Sequence, residues 1–140
     1  MTQITPAARL FAFAGRVALA PGVSSGLGRR FARVLAPHGA KVVAAARRTE
    51  RLRELAAESP GIAPLALDVT AAETFSSALD KAEAAFGPLT LLVNNAGIAS
   101  GRRILDTPDE EWDAVMKTNV DSVWRLSRAF AARLAERKTH

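Results

Sequence analysis

The 140-residue chain contains no cysteine and no tyrosine. The first absence excludes a disulfide framework, a thiol nucleophile and a thiolate metal site, and it leaves the cytoplasm as the default compartment. The second excludes any mechanism that uses a phenol of this chain as acid, base or nucleophile. Acid is missing from one region: residues 1–49 hold eight Lys and Arg but no Asp or Glu, and all fourteen acids lie from Glu50 onward. Long hydrophobic runs are missing as well. The uncharged stretch Pro88–Gly101 is too short and too polar for a membrane span of about 20 apolar residues. Leu10–Ala14 is too short for a signal-peptide core, so Met1–Gly15 reads as a mature N-terminus leading into a first strand. No basic run interleaved with aromatics marks a nucleic-acid surface, and no metal site is expected.

What remains is ordinary globular composition, 49% hydrophobic and 24% charged, enough for one domain or part of a larger one. The basic N-terminal third attracts anions such as a dinucleotide's phosphates, nucleic acid or an acidic partner, or it is a solvated Arg-rich face. Charge alone leaves both readings open.

Strand and helix patterns alternate along the chain. Arg16–Ala20 reads as a short apolar strand and Pro21–Gly26 as a Gly/Ser turn. A helix carrying Leu27, Phe31, Val34 and Leu35 follows, with Pro37 in its last turn and Gly39 beyond it. Lys41–Ala46 lacks alternation, as in a strand buried on both faces. Thr49 is placed to cap a helix carrying Leu52, Leu55 and Ala56, and Ile62–Val69 is the third strand. Thr70 and Glu73 form a capping-box pattern before a helix that buries Phe75, Leu79, Ala82 and Phe86 and stops at Gly87-Pro88. Leu89–Val93 is the fourth strand. Thr107-Pro108-Asp109-Glu110 opens another helix, with proline at its first position. Val120, Val123, Trp124, Ser127, Phe130, Ala131 and Leu134 then trace an apolar face, with Arg125, Arg128, Arg133 and Arg137 off it. Parallel strands need crossover helices, so the fold class is α/β: a doubly wound parallel sheet ordered 3-2-1-4.

In such sheets ligands bind beyond the C-terminal strand ends, where strand order reverses. The first strand there runs into Gly22-Val23-Ser24-Ser25-Gly26-Leu27-Gly28. Glycines let the backbone approach a pyrophosphate, and the helix N-terminus supplies free N–H groups. An NAD site carries an acid about 20 residues further on, bonding the ribose 2′-OH. This chain has Arg47-Arg48 there and no acid between Gly28 and Thr49. The pair is suited to a 2′-phosphate, which favours NADP(H) over NAD(H); the alternative is two solvated arginines at a strand end.

The glycine pattern, Asp68-Val69 after the third strand, Asn94-Asn95-Ala96-Gly97 after the fourth, and Asn119 in a later helix stand in order. Together they resemble the N-terminal, cofactor-binding half of the short-chain dehydrogenase/reductase family, from about Gly15 to about Arg137. The resemblance implies a Rossmann-like fold in which Ser24, Ser25, Gly26, Leu27 and Gly28 line the cofactor phosphates. It also implies that Asp68 and Val69 address the adenine, and that Asn94, Ala96 and Gly97 flank the adenine-side ribose. Asn119 matches the asparagine of the family's catalytic Asn-Ser-Tyr-Lys set. Singly, each of these residues also suits a turn, a cap or a helix bend.

Two departures stand out. Pro21 replaces the family's usual Thr, whose hydroxyl reaches toward the asparagine segment. That loss is expected to reshape the turn, uncouple Asn94 from the first loop and weaken cofactor binding by about 1–2 kcal/mol. The family's Ser and Tyr-xxx-Lys are absent, since the chain reaches only Lys138-Thr139-His140, and a terminal His140 is no replacement. Residues 1–140 are therefore expected to be a single dinucleotide-binding domain without the catalytic and substrate part, inactive alone, its carbonyl or alcohol substrate bound only by a full-length parent. The alternative is a non-catalytic dinucleotide-binding or interaction module. In that case helix 120–137 and the open edge of the fourth strand serve self-association or docking on an intact relative.

Overall fold

The computed structural model describes residues 12–138. Most of the Met1–Gly15 leader and the terminal His140 lie outside the described residues. Four parallel strands, β1 (Val17–Pro21), β2 (Lys41–Ala46), β3 (Ile62–Ala66) and β4 (Leu91–Leu92), form one sheet in the expected order β3-β2-β1-β4. The helices are α1 (Gly26–Leu35), α2 (Thr49–Ala57), α3 (Phe75–Phe86), α4 (Asp109–Met116) and α5 (Ser122–Lys138). A π-helical turn, Lys117–Asp121, joins α4 to α5.

Alternate strand residues feed two apolar layers. Val17, Leu19, Val43, Ala45 and Leu65 face α3 and α5, where Phe75, Leu79, Ala82, Leu126 and Phe130 are buried. Ala20, Val42, Ala44 and Ile62 face the other way, onto Ala32, Leu52 and Leu55 of α1 and α2. No helix is long and apolar enough to cross a membrane among the described residues.

Several local expectations are corrected. β1 ends on Pro21 rather than Ala20: a proline at a strand's last position forfeits no needed ladder bond, and Gly22 N–H bonds Ala45 O at 2.8 Å instead. β3 stops at Ala66 because β2 ends at Ala46 and offers Val69 no partner. β4 shrinks to two residues, although Thr90 and Val93 extend its ladder through N–H bonds to Val17 O and Leu19 O. Thr49 is the first residue of α2 and makes no cap bond, and Arg48 holds the cap position. The Thr70–Glu73 capping box does not form, because the Thr70 N–H and hydroxyl both donate to Asp68 Oδ1 at 2.9 and 2.8 Å. A short 3-10 turn, Ala72–Thr74, precedes α3. Pro108 takes the cap position of α4 rather than its first turn, and Thr107 donates its hydroxyl back to Arg103 O.

Helical spacing also misplaces two buried faces. In α1 the residues against the sheet are the small Gly28 and Ala32, whereas Leu27 is 72% exposed. In α5 the buried stripe is Ser122, Leu126 and Phe130, which leaves Val120 53% and Trp124 66% exposed. Arg133 and Arg137, off the expected apolar face, fold back onto α3. Arg133 pairs with Asp80 at 2.6 Å and Glu83 at 3.1 Å, and Arg137 pairs with Glu83 and donates to Leu89 O at 2.8 Å. Glu83 Oε1 also accepts the Leu89 N–H, so one carboxylate ties α5 to the turn that launches β4. On the other layer, Glu58 at the end of α2 receives Arg33 at 2.7 Å and Arg29 at 2.9 Å from α1.

Two measurements test these ties. Glu83→Gln should lower unfolding free energy by about 1–3 kcal/mol in a urea titration, because two arginines and an N–H lose a charged acceptor. An unchanged midpoint would show the cluster to be idle. For Glu58, hydrogen bonds from Arg33 and then Arg29 hold the carboxyl down to about 2 from an ordinary 4.5. Its stabilisation is complete above the ordinary value and is lost as pH falls through the folded one. Glu58→Gln should therefore flatten the decline of Tm between about pH 4.5 and pH 2, and an unaltered slope would remove Glu58 from acid unfolding.

Candidate functional site

The ends of β1, β2, β3 and β4 open into one cleft of about 660 Å³. Its walls include Gly22, Ser24, Ser25, Leu27, Gly28, Arg47, Arg48, Asp68, Val69, Ala96 and Gly97, all expected from the sequence. They come from four separate stretches of chain, and the reversal of strand order between β1 and β4 brings them together.

The floor is built on Asn95, the second residue of the Asn94-Asn95-Ala96-Gly97 run. Its side-chain amide donates to Gly22 O at 3.0 Å and to Pro21 O at 3.3 Å, crossing from the β4 end to the β1 end. This contact explains two glycines. Gly22 has φ +80, and a Cβ there would meet Ala96 Cα at 2.6 Å. A Cβ on Gly28 would run into the Asn95 amide and meet Gly22 O at 2.6 Å. The first loop and the asparagine segment touch backbone to backbone, leaving no room for a side chain between them. The coupling expected to fail at Pro21 is thus made by a neighbour, because Asn95 uses carbonyl oxygens, which proline retains.

Asn94 is not among the cleft walls: its side chain donates to Ser127 Oγ on α5 at 2.9 Å and so ties α5 to the end of β4. Gly26 is also absent from the walls: its φ of +58 shapes the loop, with open space around it. Asn119 sits in the π turn outside the walls, and its amide grips Ile98 at both backbone atoms. Oδ1 accepts the Ile98 N–H at 2.9 Å, and Nδ2 donates to Ile98 O at 2.8 Å. Asn119 therefore fixes the path of the loop after β4.

The cleft's electrostatics are cationic along one rim. α1 begins without a side-chain cap from Ser25 and without an acid in its first turn, so its leading N–H groups have no side-chain acceptor. Arg48 donates to Ser24 Oγ at 3.3 Å, linking the β2 end to the glycine loop. Arg47 is exposed and carries no ion pair among the described residues. Asp68 is held below the usual carboxylate range by the Thr70 N–H, then by the Thr70 hydroxyl, with Arg47 and Lys117 adding to the effect against the opposing influence of burial. Lys117, Thr118 and Ala114 complete the wall from α4 and the π turn, and pattern reading had not singled them out. The only sequence signal was their proximity to Asn119.

These features suit a nicotinamide dinucleotide. A loop with no room for a Cβ at Gly22 or Gly28 and uncapped N–H groups at a helix start are what a pyrophosphate requires, and Arg47 stands about 20 residues on.

Comparison with known proteins agrees. Residues 16–139 match the family model described as short chain dehydrogenase. The 3-oxoacyl-[acyl-carrier-protein] reductase FabG of Escherichia coli K12 is 40% identical over 121 residues, covering 84% of this chain and 48% of the relative. The probable oxidoreductase EphD of Mycobacterium tuberculosis H37Rv is 39% identical over 122 residues, covering 84% of this chain and 21% of its own length. A short-chain type dehydrogenase/reductase from Mycobacterium marinum superposes with a TM-score of 0.88 at 33% identity, over 95% of this chain and 56% of that one. The 3-ketoacyl-(acyl-carrier-protein) reductase of Brucella melitensis, complexed with NADH, gives 0.83 at 31% identity, over 89% and 52%. The chain spans about half the length of FabG, to which it is similar.

Gly28→Ala should lower stability by about 1–3 kcal/mol through overpacking against Gly22 and Asn95. Gly26→Ala, which meets only open space, should lose about 1 kcal/mol through its positive φ. Equal urea midpoints for the two variants would contradict the close approach at Gly28.

Proposed function

Since the chain belongs to the short-chain dehydrogenase family, we propose that its cleft binds a nicotinamide dinucleotide, NADP(H) in preference to NAD(H). Residues 1–140 then serve as the cofactor half of an oxidoreductase acting on a carbonyl or alcohol. The observation that carries the reading is the joining of the glycine cradle, the uncapped start of α1 and the unpaired Arg47 in one cavity.

The bound cofactor supplies hydride chemistry, and this chain's residues supply its seat. The N–H groups at the start of α1 and the hydroxyls of Ser24 and Ser25 take the pyrophosphate. Arg47 takes the 2′-phosphate as a planar fork, while Arg48 braces Ser24. Asp68 and Val69 bound the adenine, and Ala96 and Gly97 pass close to the ribose. Asn119 acts as a positioning residue by holding Ile98. With no tyrosine in the sequence, no phenol is at hand to move the substrate's proton, so these residues alone turn nothing over. Catalysis then belongs to a longer parent carrying the family's Ser and Tyr-xxx-Lys, in the cytoplasm. A second reading, a non-catalytic module that docks through residues 120–137, draws on the exposure of Val120 and Trp124.

Fluorescence titration with NADPH and NADH tests the first reading. NADPH should bind more tightly, and Arg47→Ala should weaken it by about 10- to 100-fold, the loss of a charge-assisted pair, with little effect on NADH. Arg48→Ala should weaken both cofactors alike, because it acts through the shared glycine loop. Equal affinities unmoved by Arg47→Ala would overturn the NADP(H) preference.

A further inference from the structure

On the dinucleotide reading above, we infer that Lys117 sets cofactor specificity by countering the charge of Asp68, which lets that end of the cleft accept a phosphorylated ribose. Arg47, Arg48, Asp68 and Lys117 all line the same cavity. Asp68 is half-buried and fixed, its Oδ1 held by the Thr70 N–H and hydroxyl, so its charge cannot swing away. A fixed carboxylate in the field of Arg47 works against a phosphate monoester twice. It repels the dianion, and it competes for the guanidinium that would bind it.

Lys117 answers that from another element. It is exposed, it carries no ion pair among the described residues, and its charge acts on Asp68 together with that of Arg47. Its backbone is anchored as well, since Asn119, two residues along the same π turn, is clamped to Ile98 at both ends. With Lys117 present, the Asp68 charge is offset and Arg47 is left to bind the phosphate monoester. Without Lys117 that carboxylate acts unopposed on the phosphate and on Arg47. A cofactor lacking the 2′-phosphate brings no dianion for Asp68 to repel, so Lys117 discriminates between the two.

The test is a cycle on the full chain at low salt. Lys117→Gln should weaken NADPH about three- to fivefold, the scale of one exposed charge interaction, and NADH less than about twofold. In an Asp68→Asn background, where the amide oxygen still accepts from Thr70, the same substitution should leave NADPH nearly unaffected. Equal losses on both cofactors, or a full NADPH loss that persists with Asp68→Asn, would overturn the inference. Failure to bind either cofactor would overturn the dinucleotide reading instead. The charge coupling is then read without cofactor, by carboxyl NMR titration of Asp68. Its pKa should rise with Lys117→Gln, and an unmoved titration would overturn the coupling.

Discussion

The Asn95 amide, reaching from the end of β4 to the carbonyls of Pro21 and Gly22, is the constraint around which the cleft is arranged. β4 is an edge strand with a two-residue ladder and one neighbour, β1, so the sheet alone holds its C-terminal end weakly. Two hydrogen bonds from one side chain close that end. They also dictate what sits around them: no side chain fits at Gly22 or Gly28, and the residue before Gly22 need offer only a carbonyl. Pro21 is tolerated for that reason, and its lack of an N–H is immaterial at the last position of a strand.

The charges divide into a structural set and a free set. Arg29 and Arg33 from the acid-free N-terminal third are engaged by Glu58, and Arg133 and Arg137 by Glu83, so much of the basic excess fastens helices to one another. Arg47 and Lys117 are left facing the cleft. The positive potential that matters is therefore local, far narrower than the one-signed first third of the sequence suggested. Within that third, Arg29 and Arg33 are structural, while Arg47 and Arg48 line the cleft.

The alternation of elements, the sheet order and most of the cleft walls were legible in the sequence, because glycine spacing and β/α periodicity act locally. What stayed hidden was decided by partners outside each local pattern. Leu27, Phe31 and Val34 announce a helix, yet the close seat of α1 buries Gly28 and Ala32 instead. The Thr70–Glu73 pattern is a sound cap signal defeated by Asp68, two residues away, which offers Thr70 a nearer acceptor. Asn94 and Asn95 are the same residue type, yet one turns to Ser127 and the other to the glycine loop. Lys117 had no signature, because its position depends on a π turn that periodicity does not resolve.

That π turn has a mechanical consequence. An i→i+5 turn holds one residue more than the α-helical frame, and here the surplus falls where Asn119 grips Ile98. Downstream, Leu126 and Phe130 are seated in the core against α3. Removing the surplus residue would rotate either the grip or the seat by about a hundred degrees, so both cannot persist in a regular helix. The loop after β4 and the packing of α5 thus share a single degree of freedom, and the widened turn is the gearing between them.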